Sequence, residues 1–220
     1  MDLVKKVDVF FDIGSSIGYY SILGATVNKH LQVVAFEPSV GSMAYLKSNI
    51  ELNDFSSRIQ AEALALSDRV GAVEFFDIRN PKYPKVYNLS GEHNMGTKTD
   101  LSHNTSQVVS DTLDSYIGLN ERTTLDLIKI DTEGCEDLIL ANATATIDKY
   151  KPIIICETLF DRIEAKLEAI MLKLGYEFYN HQEDGLYKVD TIQRTLDNGV
   201  RNCFFVHPQK KHLIEEFVVA

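Results

Sequence analysis

The residues of this chain that could do chemistry stand in three short runs, each closing an apolar stretch. The first, Phe10-Phe11-Asp12-Ile13-Gly14-Ser15-Ser16-Ile17-Gly18, sets a carboxylate ahead of a glycine-bearing turn. Gly14 lets the backbone turn sharply and a ligand approach, and Gly18 lets the following helix pack close to a sheet. A dinucleotide-binding loop uses this geometry to seat pyrophosphate on a helix N-terminus, but Asp12 would repel phosphate there. S-adenosylmethionine has no phosphate and carries an ammonium and a sulfonium, so a carboxylate suits it better. The second run, Val33-Val34-Ala35-Phe36-Glu37-Pro38, sets an acidic side chain, Glu37, nineteen residues after Gly18, able to accept both hydroxyls of a ribose. The expected cofactor contacts are therefore Asp12, Gly14, Ser15, Ser16, Gly18 and Tyr20 from the first run, and Glu37 and Pro38 from the second. Glu62 and Ala63 join them at the end of a third apolar stretch. The plainer alternatives are a helix cap for Asp12 and a solvated loop carboxylate for Glu37.

The last run, Leu125-Asp126-Leu127-Ile128-Lys129-Ile130-Asp131-Thr132-Glu133-Gly134-Cys135-Glu136, holds the candidate catalytic groups and a further cofactor contact at Asp131. Strand side chains alternate, so Lys129 and Asp131 point to one face. Methyl transfer from a sulfonium is an in-line displacement that needs the two centres aligned and any proton on the attacking atom removed. Asp131 or Glu133 can serve as that base, and His103 offers an imidazole for the same task. Lys129, in a central strand, needs a carboxylate partner simply because a buried charge does. Glu133 and Glu136 open a helix, where negative charge is favoured by the dipole alone. Asp12, Asp131 and Glu157 end neighbouring strands, so three carboxylates are expected at one rim. Asp131 and Glu157 also offer hard oxygen ligands for Mg²⁺, although two carboxylates at a rim serve equally to balance Lys129.

The elements that must position these groups alternate. Strands are expected over residues 7–13, 32–36, 59–66, 125–131 and 152–156, with an extra ribbon over 72–77. Helices are expected over 18–29, 42–53 and 136–148. The clearest helix repeats Ile163, Leu167, Ile170, Met171 and Leu174, and Gly175 stops it. Residues 176–179 and 202–207 close the chain as two strands paired antiparallel at one edge. Continuous apolar strands between helices imply an α/β fold with a doubly wound, mainly parallel sheet covered on both faces. The polar stretch 79–107 is too long for an ordinary connection and reads as a lid or insertion loop, with plain disorder as the alternative. The first strand starts early, so a single domain cut from a longer protein is expected, with other parts of the parent chain as candidate partners.

The formal charge of −10 opposes binding to nucleic acid. Cys135, Cys156 and Cys203 lack metal-type spacing and read as small buried hydrophobes of a reducing compartment. No apolar run has a membrane span's length and no signal-peptide pattern opens the chain, so a cytoplasmic protein is expected.

The run from Lys129 to Glu136 resembles the Lys-Ile-Asp-x-Glu-Gly-x-Glu signature of the FkbM family of class I methyltransferases. Asp12-Ile13-Gly14 with Gly18-Tyr19-Tyr20, Phe36-Glu37-Pro38, Ala65-Leu66-Ser67-Asp68 and Thr112-Leu113-Asp114 match as well. The likeness runs from about residue 7 to residue 180; Ser15 and Ser16 depart from the Gly-Ala-Asn-x-Gly that the family usually has at the first turn. The resemblance implies a seven-stranded sheet, S-adenosyl-L-methionine as cofactor, and O-methylation of a sugar, glycan or similar natural-product hydroxyl. A nicotinamide-dependent oxidoreductase lacks its Gly-x-Gly-x-x-Gly here. Base methylation lacks Asn/Asp-Pro-Pro-Tyr and a Pro-Cys nucleophile. A degenerate domain kept for binding, or a protein or nucleic-acid acceptor, remains as the alternative.

Overall fold

Each strongly apolar run becomes a strand buried on both sides, because helices cover both faces of one sheet. The computed structural model describes residues 2–78, 103–120, 123–158 and 160–219. After a 3₁₀ turn the chain forms β1 (Val9–Ile13), α1 (Tyr19–Val27), β2 (Gln32–Phe36), α2 (Val40–Leu52), β3 (Ile59–Glu62), β4 (Ala65–Leu66) and β5 (Gly71–Ile78). There follow β6 (His103–Asp111), α3 (Leu113–Leu119), β7 (Leu127–Ile130), α4 (Glu136–Ala141), α5 (Thr144–Tyr150) and β8 (Ile153–Glu157). The chain closes with α6 (Glu164–Lys173), β9 (Glu177–Gln182), β10 (Gly185–Val189), β11 (Asn202–Val206) and two short 3₁₀ turns.

The main sheet has eight strands in the order β10-β9-β11-β8-β7-β1-β2-β3. Its centre from β8 to β3 is parallel, whereas β11 runs antiparallel to both β8 and β9. Phe11, Ile13, Phe36, Ile128 and Ile130 face a layer built by α3 to α6, where Leu113, Ile139, Ile147, Leu167 and Met171 meet them. Phe10, Val33, Ala35 and Leu127 face Ala25 of α1 and Met43, Leu46 and Ile50 of α2. Burying one such large side chain contributes about 1.5–3 kcal/mol, so the period-two alternation of β1 and β7 fixes which residues look to which layer. The expected doubly wound α/β architecture is thus present. β1 has β2 on one side and β7 on the other, and the crevice beyond their carboxyl ends is where such sheets bind ligands.

Four details differ from the sequence-based expectations. The main sheet gains β10, paired antiparallel with β9 through the turn Glu183-Asp184, so it has eight strands rather than seven. The two expected closing strands do pair antiparallel, but β11 lies between β8 and β9, and β10 takes the edge. The strand expected over 59–66 breaks at Ala63, and β4 leaves the main sheet to pair with β6 in a three-stranded sheet with β5. The helix expected over 136–148 breaks after Asn142, whose amide donates to the Leu138 carbonyl, while the Asp114 carboxylate on α3 accepts from the Ala145 and Thr146 amides that start α5. Of the stretch read as a lid, residues 79–102 lie outside the described residues, and 103–107 belong to β6. No helix among the described residues is long and apolar enough to cross a membrane.

Candidate active site

The turn after β1 is held by its own backbone. Gly14 has φ 78°, and a Cβ there would lie 2.0 Å from the Asp131 carbonyl oxygen, so only glycine lets this turn abut the end of β7. Gly18 has φ 87°, and a Cβ there would lie 2.5 Å from Leu46 Cδ1 on α2. The Gly14 and Ser15 amides both donate to the Phe36 carbonyl at 3.0 Å, and the Gly18 amide donates to the Ser15 carbonyl at 2.8 Å. Ser16, in the left-handed region at φ 50°, donates its amide to Glu37 Oε2 at 2.9 Å. Glu37 Oε1 accepts the Ser39 amide at 2.8 Å, so this buried carboxylate ties the two cofactor-side turns together. Pro38 sits half-buried between Glu37 and Ser39. Glu62 accepts the Glu37 amide on its carbonyl and the Tyr116 hydroxyl on Oε1, and Ala63 beside it is exposed.

Asp12 is only 2% exposed. Its Oδ2 accepts both the amide (3.1 Å) and the hydroxyl (2.6 Å) of Ser21, the third residue of α1. The plainer reading of Asp12, a helix cap, is therefore made, and it is delivered from the neighbouring strand. Burial pushes the Asp12 carboxyl above its usual pKa, while the Ser21 hydroxyl and Lys129 pull it back.

Lys129 stands opposite Asp12 in the β1–β7 register and is buried. Its Nζ lies 2.6 Å from Asp131 Oδ2 and 4.5 Å from the centre of the Tyr20 ring. The lysine thus finds its carboxylate on its own strand's end, as the alternation requires. Beyond Asp131 the chain makes a left-handed turn, with Glu133 at φ 60° and Gly134 at φ 115°. Glu136, fully buried at the start of α4, holds that turn: Oε1 accepts the Thr132 amide at 2.8 Å and hydroxyl at 3.0 Å, and Oε2 accepts the Gly134 amide at 3.1 Å. Glu136 was expected only as a favourable charge at a helix start. Its spacing from Thr132 was the available signal for this staple.

Three carboxylates do converge at the rim, but the third is not Asp12. Asp131, Glu133 and Glu157 bring oxygens within 4.8 Å of one another, whereas Asp12 is sealed beneath α1. Glu157, at the end of β8, has its Oε2 buried without a hydrogen-bond partner. Burial raises its pKa from an ordinary 4.5 to about 8, aided by Asp131, Glu133 and Glu136 and opposed by Lys129. His103 is the first residue of β6, opposite Ile78, and so belongs to the small sheet rather than to the strand ends of the main one. The three cysteines are buried and free, and burial pushes the Cys135 thiol up to about 12, which suits packing and not nucleophilic attack.

The model of the methyltransferase FkbM domain matches residues 12–178. The chain belongs to the FkbM methyltransferase family. That span carries every turn described above, from Asp12 through Glu37 and Lys129–Glu136 to Glu157. Among solved structures, the methyltransferase FkbM from Methylobacillus flagellatus KT is 20% identical with a TM-score of 0.56, over 90% of this chain and 43% of that one. The METTL16 methyltransferase domain is 15% identical with a TM-score of 0.53, over 94% of this chain and 63% of that one. An uncharacterised protein from Listeria monocytogenes serotype 4b is 12% identical with a TM-score of 0.53, over 93% and 63% respectively. These likenesses show the class I methyltransferase fold. The chain spans less than half the length of the FkbM structure and under two thirds of the other two. No curated protein matches it in sequence. A divalent ion between Asp131 and Glu157 is not supported by the family assignment.

Proposed function

We propose that this domain transfers a methyl group from S-adenosyl-L-methionine to a hydroxyl oxygen of a sugar or glycan. The observation that carries the reading is the state of the first turn. The amides of Gly14, Ser15, Ser16 and Gly18 are all spent inside the protein, two on Phe36, one on Glu37 and one on Ser15. A turn in that state has little left to offer a phosphate, and Glu37 and Asp131 beside it favour a positively charged nucleoside. In this reading Glu37 takes the ribose hydroxyls. Gly14 and its neighbours let the ligand lie against the backbone, with Pro38, Glu62 and Ala63 toward its base.

S-adenosyl-L-methionine supplies an electrophilic methyl group on sulfur when bound. The chain's own residues orient it and accept the proton that the attacking hydroxyl must lose. The rim suits that second task, because Asp131, Glu133 and Glu157 bring three carboxylates together there, with Lys129 paired to Asp131. The same excess of negative charge favours a neutral polyol over an anionic acceptor such as a nucleic acid.

Calorimetric titration with S-adenosyl-L-methionine and S-adenosyl-L-homocysteine tests the cofactor, and binding of both is expected. Mass spectrometry of neutral glycans incubated with protein and cofactor then tests the acceptor, where a gain of one CH₂ on a hydroxyl is expected. Binding of a nicotinamide dinucleotide in place of S-adenosyl-L-methionine would overturn the assignment.

A further inference from the structure

Asp131, Glu133 and Glu157 crowd one rim, yet their surroundings differ. Asp131 already has Lys129 at 2.6 Å. Glu157 has the one side-chain oxygen among the described residues that is buried with no hydrogen-bond partner. It hangs from the end of β8, next to the crevice at the carboxyl ends of β7 and β1. An acceptor atom left bare in such a place is matched by a ligand that brings its own O–H.

The geometry points to Glu157 as the catalytic residue that takes the proton of the acceptor hydroxyl. This assignment rests on the methyltransferase reading above and specifies which carboxyl does the work. As the hydroxyl oxygen forms its bond to the methyl carbon, the carbon–sulfur bond breaks and its electron pair stays on sulfur as a neutral thioether. The hydroxyl proton passes to Glu157 Oε2, and the neutral carboxyl later returns it to water.

The groups facing Glu157 tune it for this. Asp131 and Glu133 from the turn after β7, and Glu136 from α4, disfavour its charge, while Lys129 favours it. Arg201, just before β11, adds a weaker attraction and is itself paired with Asp197 at 2.9 Å. Burial and the three like charges win and hold the carboxyl's pKa up at about 8, which suits a base for chemistry near neutral pH.

The test needs no acceptor. Carbon-13 NMR of protein labelled at the glutamate carboxyl is expected to show one glutamate ionising near pH 8 in the native protein and none in Glu157→Gln. In parallel, the ratio of affinities for S-adenosyl-L-methionine and S-adenosyl-L-homocysteine is measured by calorimetry from about pH 6.5 to 9. Ionisation of a carboxyl close to the sulfonium should raise that ratio about tenfold in the native protein and leave it flat in Glu157→Gln. A late-titrating glutamate that survives in Glu157→Gln, or a ratio that does not change with pH in the native protein, overturns the assignment to Glu157. Failure of the native protein to bind either ligand instead overturns the methyltransferase reading beneath it.

Discussion

Replacing Glu136 with alanine strips the turn after β7 of the side chain that holds it. The carboxylate is 0% exposed and accepts from the Thr132 amide, the Thr132 hydroxyl and the Gly134 amide at 2.8 to 3.1 Å. Hydrogen bonds to a charged group are worth about 1.5–3 kcal/mol each. The three share one carboxylate, and the partly exposed turn lets water reach the freed donors, so the expected loss is about 3 kcal/mol and not the sum. Urea unfolding followed by circular dichroism measures it, with the slope against denaturant unchanged if the native fold survives. Glu133→Gly is the matched control, since it changes the same turn at a residue with φ 60°, a conformation glycine adopts freely. That variant should stay within about 1 kcal/mol of the native protein. A Glu136→Ala loss below about 1 kcal/mol, or one equal to that of the control, would refute the staple.

Gly14→Ala places a methyl 2.0 Å from the Asp131 carbonyl oxygen at φ 78°, and thermal unfolding should report a loss of about 2–4 kcal/mol. Asp12→Ala and Glu37→Ala should each weaken S-adenosyl-L-methionine binding about tenfold or more, 1.4 kcal/mol, by calorimetry; unchanged affinity in both would remove the cofactor assignment. Asp131→Asn should fold and bind cofactor yet turn over at least about tenfold more slowly, because Lys129 loses its charged partner at the reacting centre. Because the Glu157 pKa is raised in the folded state, the native state holds its proton longer than the unfolded chain does. Its stabilising contribution is full below about pH 4.5 and is lost as pH rises through about 8, so urea midpoints should fall across that window in the native protein and fall less in Glu157→Gln.

How much of this was legible in the sequence depends on the range of the forces involved. Gly14, Gly18, Glu37 and the Lys129–Glu136 run carry local geometry in their spacing, and the structure brings all of them to the carboxyl ends of the central strands. The helix break after Asn142 was hidden because the cap that starts α5 comes from Asp114, far back on α3. β6 was hidden because His103–Asp111 is rich in Ser, Thr and Asn and shows no apolar alternation at its start; pairing with β5 along its whole length makes it a strand. β10 did leave a signal, since Asp184-Gly185 marks a tight turn. The third carboxylate was assigned wrongly because alternation tells which face a side chain takes, and not whether a neighbouring helix closes over it. Glu133 reaches the rim through a left-handed turn that no periodicity announces.

The position of β11 has a consequence for the way this protein comes into being. β8 and β9 are both complete before β11 is made, yet β11 lies between them and bonds to each. A nascent chain leaving the ribosome therefore carries β8 with an unzipped flank for the whole interval from Glu157 to Asn202, and its two halves cannot knit directly to one another without shutting out the strand that belongs there.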